Sequence, residues 1–422
     1  MSRSIKKYIK KELSILDNNF YHKKNYPLSV IQYDQTDVFN CLKTLLRGWP
    51  TIGNEVLNVE KKIKKLLNSK NAIMINSGGS ANFLILYILR SNYAKKKDKL
   101  NYGDEVITPA VTWSTTVSPI IQNGLTPVFV DVNLYNYDIN PDKIEKAITK
   151  KTRAIMLVHP LGHVCEMDKI LKICKKHNLL LIEDTCETIG AKYKNKFAGT
   201  FGKFSSISFY QSHHISAAEG GMILTDDNYY ADILRSMRAN GWLREVTNSN
   251  TRKKFIKKFK NIDSSFMFPY IGFNFKPTDM GAALVSNQIN KLNSFIKKRE
   301  IVAKFLIKEL SKYNKYLYLP KIHKHIKNSW FTFPIVVKNN KKFDKSKLTK
   351  YLTKNNIANR PIIAGNIIEQ PFIKDFVHKK KELVNSELVM SSGFFIGIHH
   401  KFNKSKLAKL SEIINKFFNK FD

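Results

Sequence analysis

The chain has 422 residues, 43% of them hydrophobic, a composition ordinary for a globular protein and a length that points to two domains rather than one core. Lysine and arginine number 71 against 34 acidic residues, for a formal net charge of +37, which raises nucleic-acid binding as a reading. The lysines, however, are spread along the whole chain beside Asn and Ile, and no nucleic-acid-binding module is recognisable. The densest basic run, Thr251 to Lys258, reads as a solvated helix face or loop. No apolar run approaches the roughly 20 residues that span a bilayer, and no cleavable leader follows the basic start Met1–Lys7. The expectation is a cytoplasmic protein that binds neither membrane nor nucleic acid. Cys41, Cys165, Cys174 and Cys186 form no C-x-x-C pair and no metal-site spacing.

Residues 1–45 are polar and lysine-rich with apolar residues at helical intervals, and are read as an arm or accessory helix. From Gly48 onward short apolar runs alternate with helix-period segments. Ala72–Ile75 predicts a strand, and it leads through Asn76-Ser77-Gly78-Gly79-Ser80-Ala81-Asn82 into an apolar helix. Small residues at a helix start let the backbone approach an anion, so Gly79 and Ser80 are placed to hold a phosphate; a plain strand-to-helix turn would look the same. Glu105–Thr108 is the next strand, and Trp113 just beyond it can stack on an aromatic group or pack in the core. Strands follow at Pro127–Val130, Ala154–Val158 and Leu179–Ile182. The last runs into Glu183-Asp184-Thr185-Cys186-Glu187, acids at the sheet edge where open α/β folds bind ligands, though Asp is also a common helix cap. Phe204–Phe209 and Gly221–Leu224 add two strands around Ser208 and the paired His213-His214. Adjacent histidines rarely face one metal, so a metal pair is a poor reading.

Beyond these, Thr247–Ser265 is unpatterned and is expected to be a loop. In Gly272-Phe273-Asn274-Phe275-Lys276-Pro277-Thr278-Asp279, Thr278 or Asp279 can cap a long helix running from about Asp279 to Lys312. A smaller α/β pattern follows, with a strand at Trp330–Val337, a helix over Lys345–Asn355 and a terminal amphipathic helix over Lys404–Phe418. The domain expectation is therefore an arm over 1–45, a large domain over 46–290, and a linking helix with a small domain over 291–422.

These motifs, in this order, resemble the sugar aminotransferase family (DegT/DnrJ/EryC1/StrS), and the resemblance covers about residues 46–420. It implies an α/β type I PLP-dependent aminotransferase fold, with a mostly parallel seven-stranded sheet in the large domain. Family members read Ser, four residues, then Lys across the stretch that matches Ser208 to Gly221, and that lysine is linked covalently to pyridoxal 5'-phosphate (PLP). Here the matching residue is His213. This departure resembles the 3-dehydratase branch, which also matches at Thr112–Ile120 and Arg360–Asn366. The resemblance implies a lyase that removes the C3 hydroxyl of a nucleotide-linked 4-keto-6-deoxy sugar, GDP-4-keto-6-deoxymannose foremost, in dideoxysugar and O-antigen biosynthesis.

Residue by residue, the resemblance makes His213 the general base and sets Asp184 on the pyridine nitrogen. It stacks Trp113 on the ring and places Gly79, Ser80 and Ser208 on the phosphate, with Asn274 contributed by the other subunit of a homodimer. Glu187 would contact the cofactor or substrate, and Arg244 and Arg360 the substrate. The cofactor would be PLP or pyridoxamine 5'-phosphate (PMP), held noncovalently, with glutamate as amino donor. A cousin acting on CDP-4-keto-6-deoxyglucose carries an iron–sulfur cluster on cysteines that would fall between Arg244 and Gly272. Glu245–Ile271 contains no cysteine, so no such cluster is expected. Two further departures, His163 where the family often has Asn and Ala218 where it often has Gly, touch local loop geometry. The competing readings are an aminotransferase that uses another lysine such as Lys203, the CDP-sugar dehydrase without its cluster, and a noncatalytic homologue.

Overall fold

A computed structural model describes residues 2–16 and 26–421. Its centre is an eight-stranded sheet built from β1 (Asn71–Ile75), β2 (Glu105–Pro109), β3 (Thr126–Val130), β4 (Thr152–Val158), β5 (Leu180–Asp184), β8 (Phe204–Ser208), β9 (Gly221–Thr225) and the two-residue β14 (Lys379–Lys380). The intervening β6 (Lys192–Tyr193) and β7 (Lys196–Phe197) pair in a small ribbon with β11 (Ile326–Lys327). The spatial order is β1-β9-β8-β5-β4-β2-β3-β14, and β9 alone runs antiparallel to its neighbours. Both faces are covered by helices, which is why the strands are near-continuous apolar runs rather than alternating ones.

Seven of these strands were expected. The eighth, β14, comes from far along the chain and extends the sheet beside β3, where Lys379 pairs with the buried Glu105. A second sheet, antiparallel, has the order β10 (Leu317–Tyr318), β12 (Thr332–Val337), β15 (Gly393–Gly397), β13 (Asn359–Pro361). It packs with the helices Lys345–Lys354 and Lys404–Phe418 and the second half of the helix Asp279–Leu310 around a core that includes Phe333, Phe394, Ile396 and Phe418.

Capping fixes the long helix and its neighbours. Thr278 is the N-cap and accepts from the Gly281 N–H at 3.1 Å. Asp279 turns instead to the helix Asn54–Leu67 and accepts from the N–H groups of Gly53 (3.1 Å) and Val56 (2.8 Å). The N-terminal region expected as an arm is helical at Ser2–Leu16 and again at Gln35–Leu46. Lys291 of the long helix ties the second of these down through Asp34 (2.6 Å) and Asp37 (2.9 Å). The expected loop over Thr247–Ser265 is a correction: Ser249–Lys258 is a helix. It buries none of its residues, so it has no apolar stripe from which a helical period could be read. Among the described residues no helix is long and apolar enough to cross a membrane.

Candidate active site

The carboxyl ends of β1, β5 and β8 converge. β1 gives way to the helix Gly78–Arg90, whose N-cap Ser77 accepts from the Ser80 N–H at 3.0 Å and donates its hydroxyl to Ser80 Oγ at 2.9 Å. Room at this helix start exists only because side chains are missing. A Cβ on Gly78 would lie 2.8 Å from both Cys186 Sγ and Ser208 Cβ, and one on Gly79 would lie 3.2 Å from Thr115 Cγ2. Ser77 takes up the Ser80 N–H, while other N–H groups at a helix start have no intrahelical partner. Gly79 and Ser80 lie at this start, and Gly78 just before them packs against Ser208.

Asp184 closes β5. Its Oδ2 accepts from Asn82 Nδ2 at 2.8 Å and Thr116 Oγ1 at 2.9 Å, and its Oδ1 from the Cys186 N–H at 3.1 Å. Three donors therefore hold one buried carboxylate in a single orientation. Glu183, one residue earlier and on the opposite face of the strand, serves the scaffold. It accepts from the N–H groups of Gly199, Phe201 and Gly202 and from His159 Nε2 at 2.9 Å. Trp113 is 57% exposed at the start of the helix Ser114–Gln122, the helix that also carries Thr115 and Thr116 to Gly79 and to Asp184.

Glu187 accepts from the Leu161 N–H at 2.9 Å. Burial pushes its carboxyl up to about 7, with the Asp184 charge acting in the same direction against that hydrogen bond. His213 is half-buried, and its Nδ1 lies 3.3 Å from the Ser208 carbonyl. A carbonyl only accepts, so Nδ1 carries the proton and Nε2 the lone pair. Desolvation pulls the imidazole down to about 4, although the Ser208 carbonyl and Asp184 favour its charged form. Near neutral pH it is an unprotonated base. His214 diverges from it. It is fully buried and its Nε2 donates to the Ser329 carbonyl at 2.9 Å, so the pair does not converge on a metal.

One chain therefore brings together Gly79, Ser80, Asp184, Glu187, Ser208 and His213, with Trp113 at the start of the helix that carries Thr115 and Thr116 to them. Among the described residues Asn274, Arg244 and Arg360 form no hydrogen bond or ion pair with this cluster. All three are exposed. Arg244 lies 3.5 Å over the Trp242 ring, beside a cavity of about 370 Å³ that Arg252 and Phe266 also line. Lys203, the alternative amine, is bound to Asp227 (3.0 Å) and Asp98 (3.3 Å) just before β8, at the far end of that strand from Ser208. Sequence reasoning missed Asn82 and Thr116 as the anchors of Asp184. Asn82 left a trace, as a polar side chain inside an apolar helix.

A profile of the DegT/DnrJ/EryC1/StrS aminotransferase family matches residues 32–415. GDP-4-keto-6-deoxy-D-mannose 3-dehydratase of Yersinia pseudotuberculosis is 35% identical over 399 residues, 94% of this chain and 98% of the relative. The dTDP-4-dehydro-2,6-dideoxy-D-glucose 3-dehydratase of Saccharopolyspora spinosa is 35% identical over 392 residues, 91% of this chain and 84% of the relative. A crystal structure of GDP-4-keto-6-deoxymannose-3-dehydratase with a trapped PLP–glutamate geminal diamine superposes with a TM-score of 0.84 at 33% identity, covering 92% of this chain and 99% of that one.

Proposed function

This chain belongs to the DegT/DnrJ/EryC1/StrS aminotransferase family, and on that premise we propose that it is a PLP- and PMP-dependent 3-dehydratase of a nucleotide-linked 4-keto-6-deoxyhexose. The substrate is GDP-4-keto-6-deoxymannose, the product a 3,6-dideoxy-4-keto sugar, and the amino donor glutamate. The observation that carries this reading is the imidazole of His213, with its Nδ1 on the Ser208 carbonyl, at the position of the family's lysine. Imidazole forms no stable covalent link to the cofactor aldehyde, so the cofactor is held noncovalently.

The cradle of Gly79, Ser80 and Ser208 fits a phosphate, and the hydrogen-bonded Asp184 fits a protonated pyridine nitrogen. Asn274 joins the phosphate from the second subunit of a homodimer, Trp113 covers the ring face, and Glu187 lies beside Asp184 at the cofactor. Arg244 and Arg360 take the substrate. When bound, the cofactor supplies an electron sink and a primary amine that can engage the sugar ketone. His213 supplies a neutral Nε2 that takes up a proton and keeps it from solvent while the C3 hydroxyl departs. A lysine here would be a second amine able to return nitrogen to the sugar; histidine removes that route. With no thiol between Glu245 and Ile271, the reaction proceeds without an iron–sulfur centre, in the cytoplasm.

Purified protein with PLP and glutamate, offered GDP-, CDP- and dTDP-linked 4-keto-6-deoxy sugars, is expected to release ammonia and a 3-deoxy product from the GDP sugar, read by mass spectrometry. Borohydride should trap no cofactor on lysine. An amino sugar in place of ammonia, or a His213→Lys variant dehydrating at full rate, sinks the proposal.

A further inference from the structure

His213 itself is weakly held. Among the described residues its imidazole makes one hydrogen bond, from Nδ1 to the Ser208 carbonyl, 3.3 Å long, and a single long bond does not fix the plane of a ring. Packing must do so. Phe331 meets the imidazole edge-on, with centroids 5.2 Å apart at 88°. Tyr210, at 5.9 Å, is the other ring against it but is exposed to solvent.

Phe331 is in turn clamped from several sides. Its N–H donates to the Leu161 carbonyl at 3.0 Å, and the N–H of Ser329 donates to the Gly162 carbonyl at 2.8 Å. This is the turn whose Leu161 N–H holds Glu187. The approach is close enough that a Cβ on Gly162 would lie 2.4 Å from the Trp330 nitrogen. Opposite, His214 donates to the Ser329 carbonyl, and its ring tilts against Phe331 at 6.1 Å. Beneath, the buried Arg299 donates to the carbonyls of Trp330 (3.1 Å), Phe331 (3.0 Å) and Ile398 (2.6 Å).

We infer that Phe331, backed by His214 and Arg299, is a positioning residue. It sets the plane of the His213 imidazole so that Nδ1 stays on the Ser208 carbonyl and Nε2 stays free. The inference rests on the dehydratase reading for its kinetic test, and a structural test stands apart from that reading. In the cofactor-loaded enzyme, Phe331→Leu is expected to lower kcat by at least about tenfold, toward the roughly 10²-fold cost of a misplacement near 1 Å. KM and PMP affinity should stay within about twofold. Phe331→Tyr, which keeps the ring, restores at least about half of kcat, and Phe331→Met replaces Leu if that variant does not fold. A crystal structure of the Leu or Met variant should show the imidazole turned off the Ser208 carbonyl.

Wild-type kcat in the Leu or Met variant overturns the inference, as does an unmoved ring or a Tyr variant as impaired as Leu. A turned ring in an enzyme whose wild type releases no ammonia supports the inference and removes the dehydratase reading instead.

Discussion

His163 and Ala218 stand where the resemblance implies that the family often has Asn and Gly, and each has a physical consequence. His163 is buried with its Nδ1 3.0 Å from Asn328 Oδ1. Burial, with His323 nearby, pulls it down to about 3 from the ordinary 6.5. Between those values the unfolded chain binds a proton that the folded chain does not, so stability falls as pH falls through that window, by roughly 1.4 kcal/mol per pH unit for one such group. His163→Asn is expected to flatten the acid side of a urea-denaturation series taken from pH 7 to 5; parallel curves would refute it. Ala218 has φ 65, a left-handed conformation that glycine adopts without strain. Ala218→Gly should gain about 1 kcal/mol, read as a higher Tm. At the residue scale the sequence marks chemically distinctive side chains, such as Asp184 and His213. The site was illegible where ordinary residues act through geometry: nothing in the chain marks Thr116 as a donor to Asp184, and Phe331 reads as one aromatic in an apolar strand.

At the scale of elements, the cradle depends on a helix start that tolerates no side chain. Gly78→Ala puts a methyl group 2.8 Å from Cys186 Sγ and Ser208 Cβ. Moving these apart widens the phosphate site, so PLP affinity in an absorbance titration is expected to fall by at least about tenfold, the loss of one or two charge-assisted hydrogen bonds. Unchanged affinity would show that the phosphate is held elsewhere. Most of the buried strands could be read from sequence because burial on both faces writes itself as runs rich in Val, Ile, Leu and Met, as in Thr152–Val158. The helix Ser249–Lys258 and the strand Lys379–Lys380 could not, because neither buries a stripe. The first touches the rest of the chain chiefly through Phe255, which packs on Tyr270, and the second is held by backbone pairing and the Lys379–Glu105 contact.

For the whole molecule, a formal charge of +37 acts at a distance on any anionic ligand, the proposed nucleotide sugar included. Steering of this kind raises the encounter rate and is screened over about 8–10 Å at physiological salt. Raising NaCl should therefore lower kcat/KM several-fold while leaving kcat nearly unchanged, and salt-independent kcat/KM would show that the charge has no part in capture. The two-sheet architecture was legible because each half has its own apolar rhythm. How the halves are joined was not, since the joining contacts mix backbone bonds with scattered side chains such as Asp131, which accepts from the Ser386 N–H at 2.8 Å. The edge strand β14 returns from the C-terminal half to the large sheet, and Ser329–Phe331 grips the turn at Leu161–Gly162. The smaller lobe is moored at several separated places, among them the Ser386 N–H on Asp131 and the apolar cluster of Leu161 with Val336 and Val389, so swinging it like a jaw would break them together.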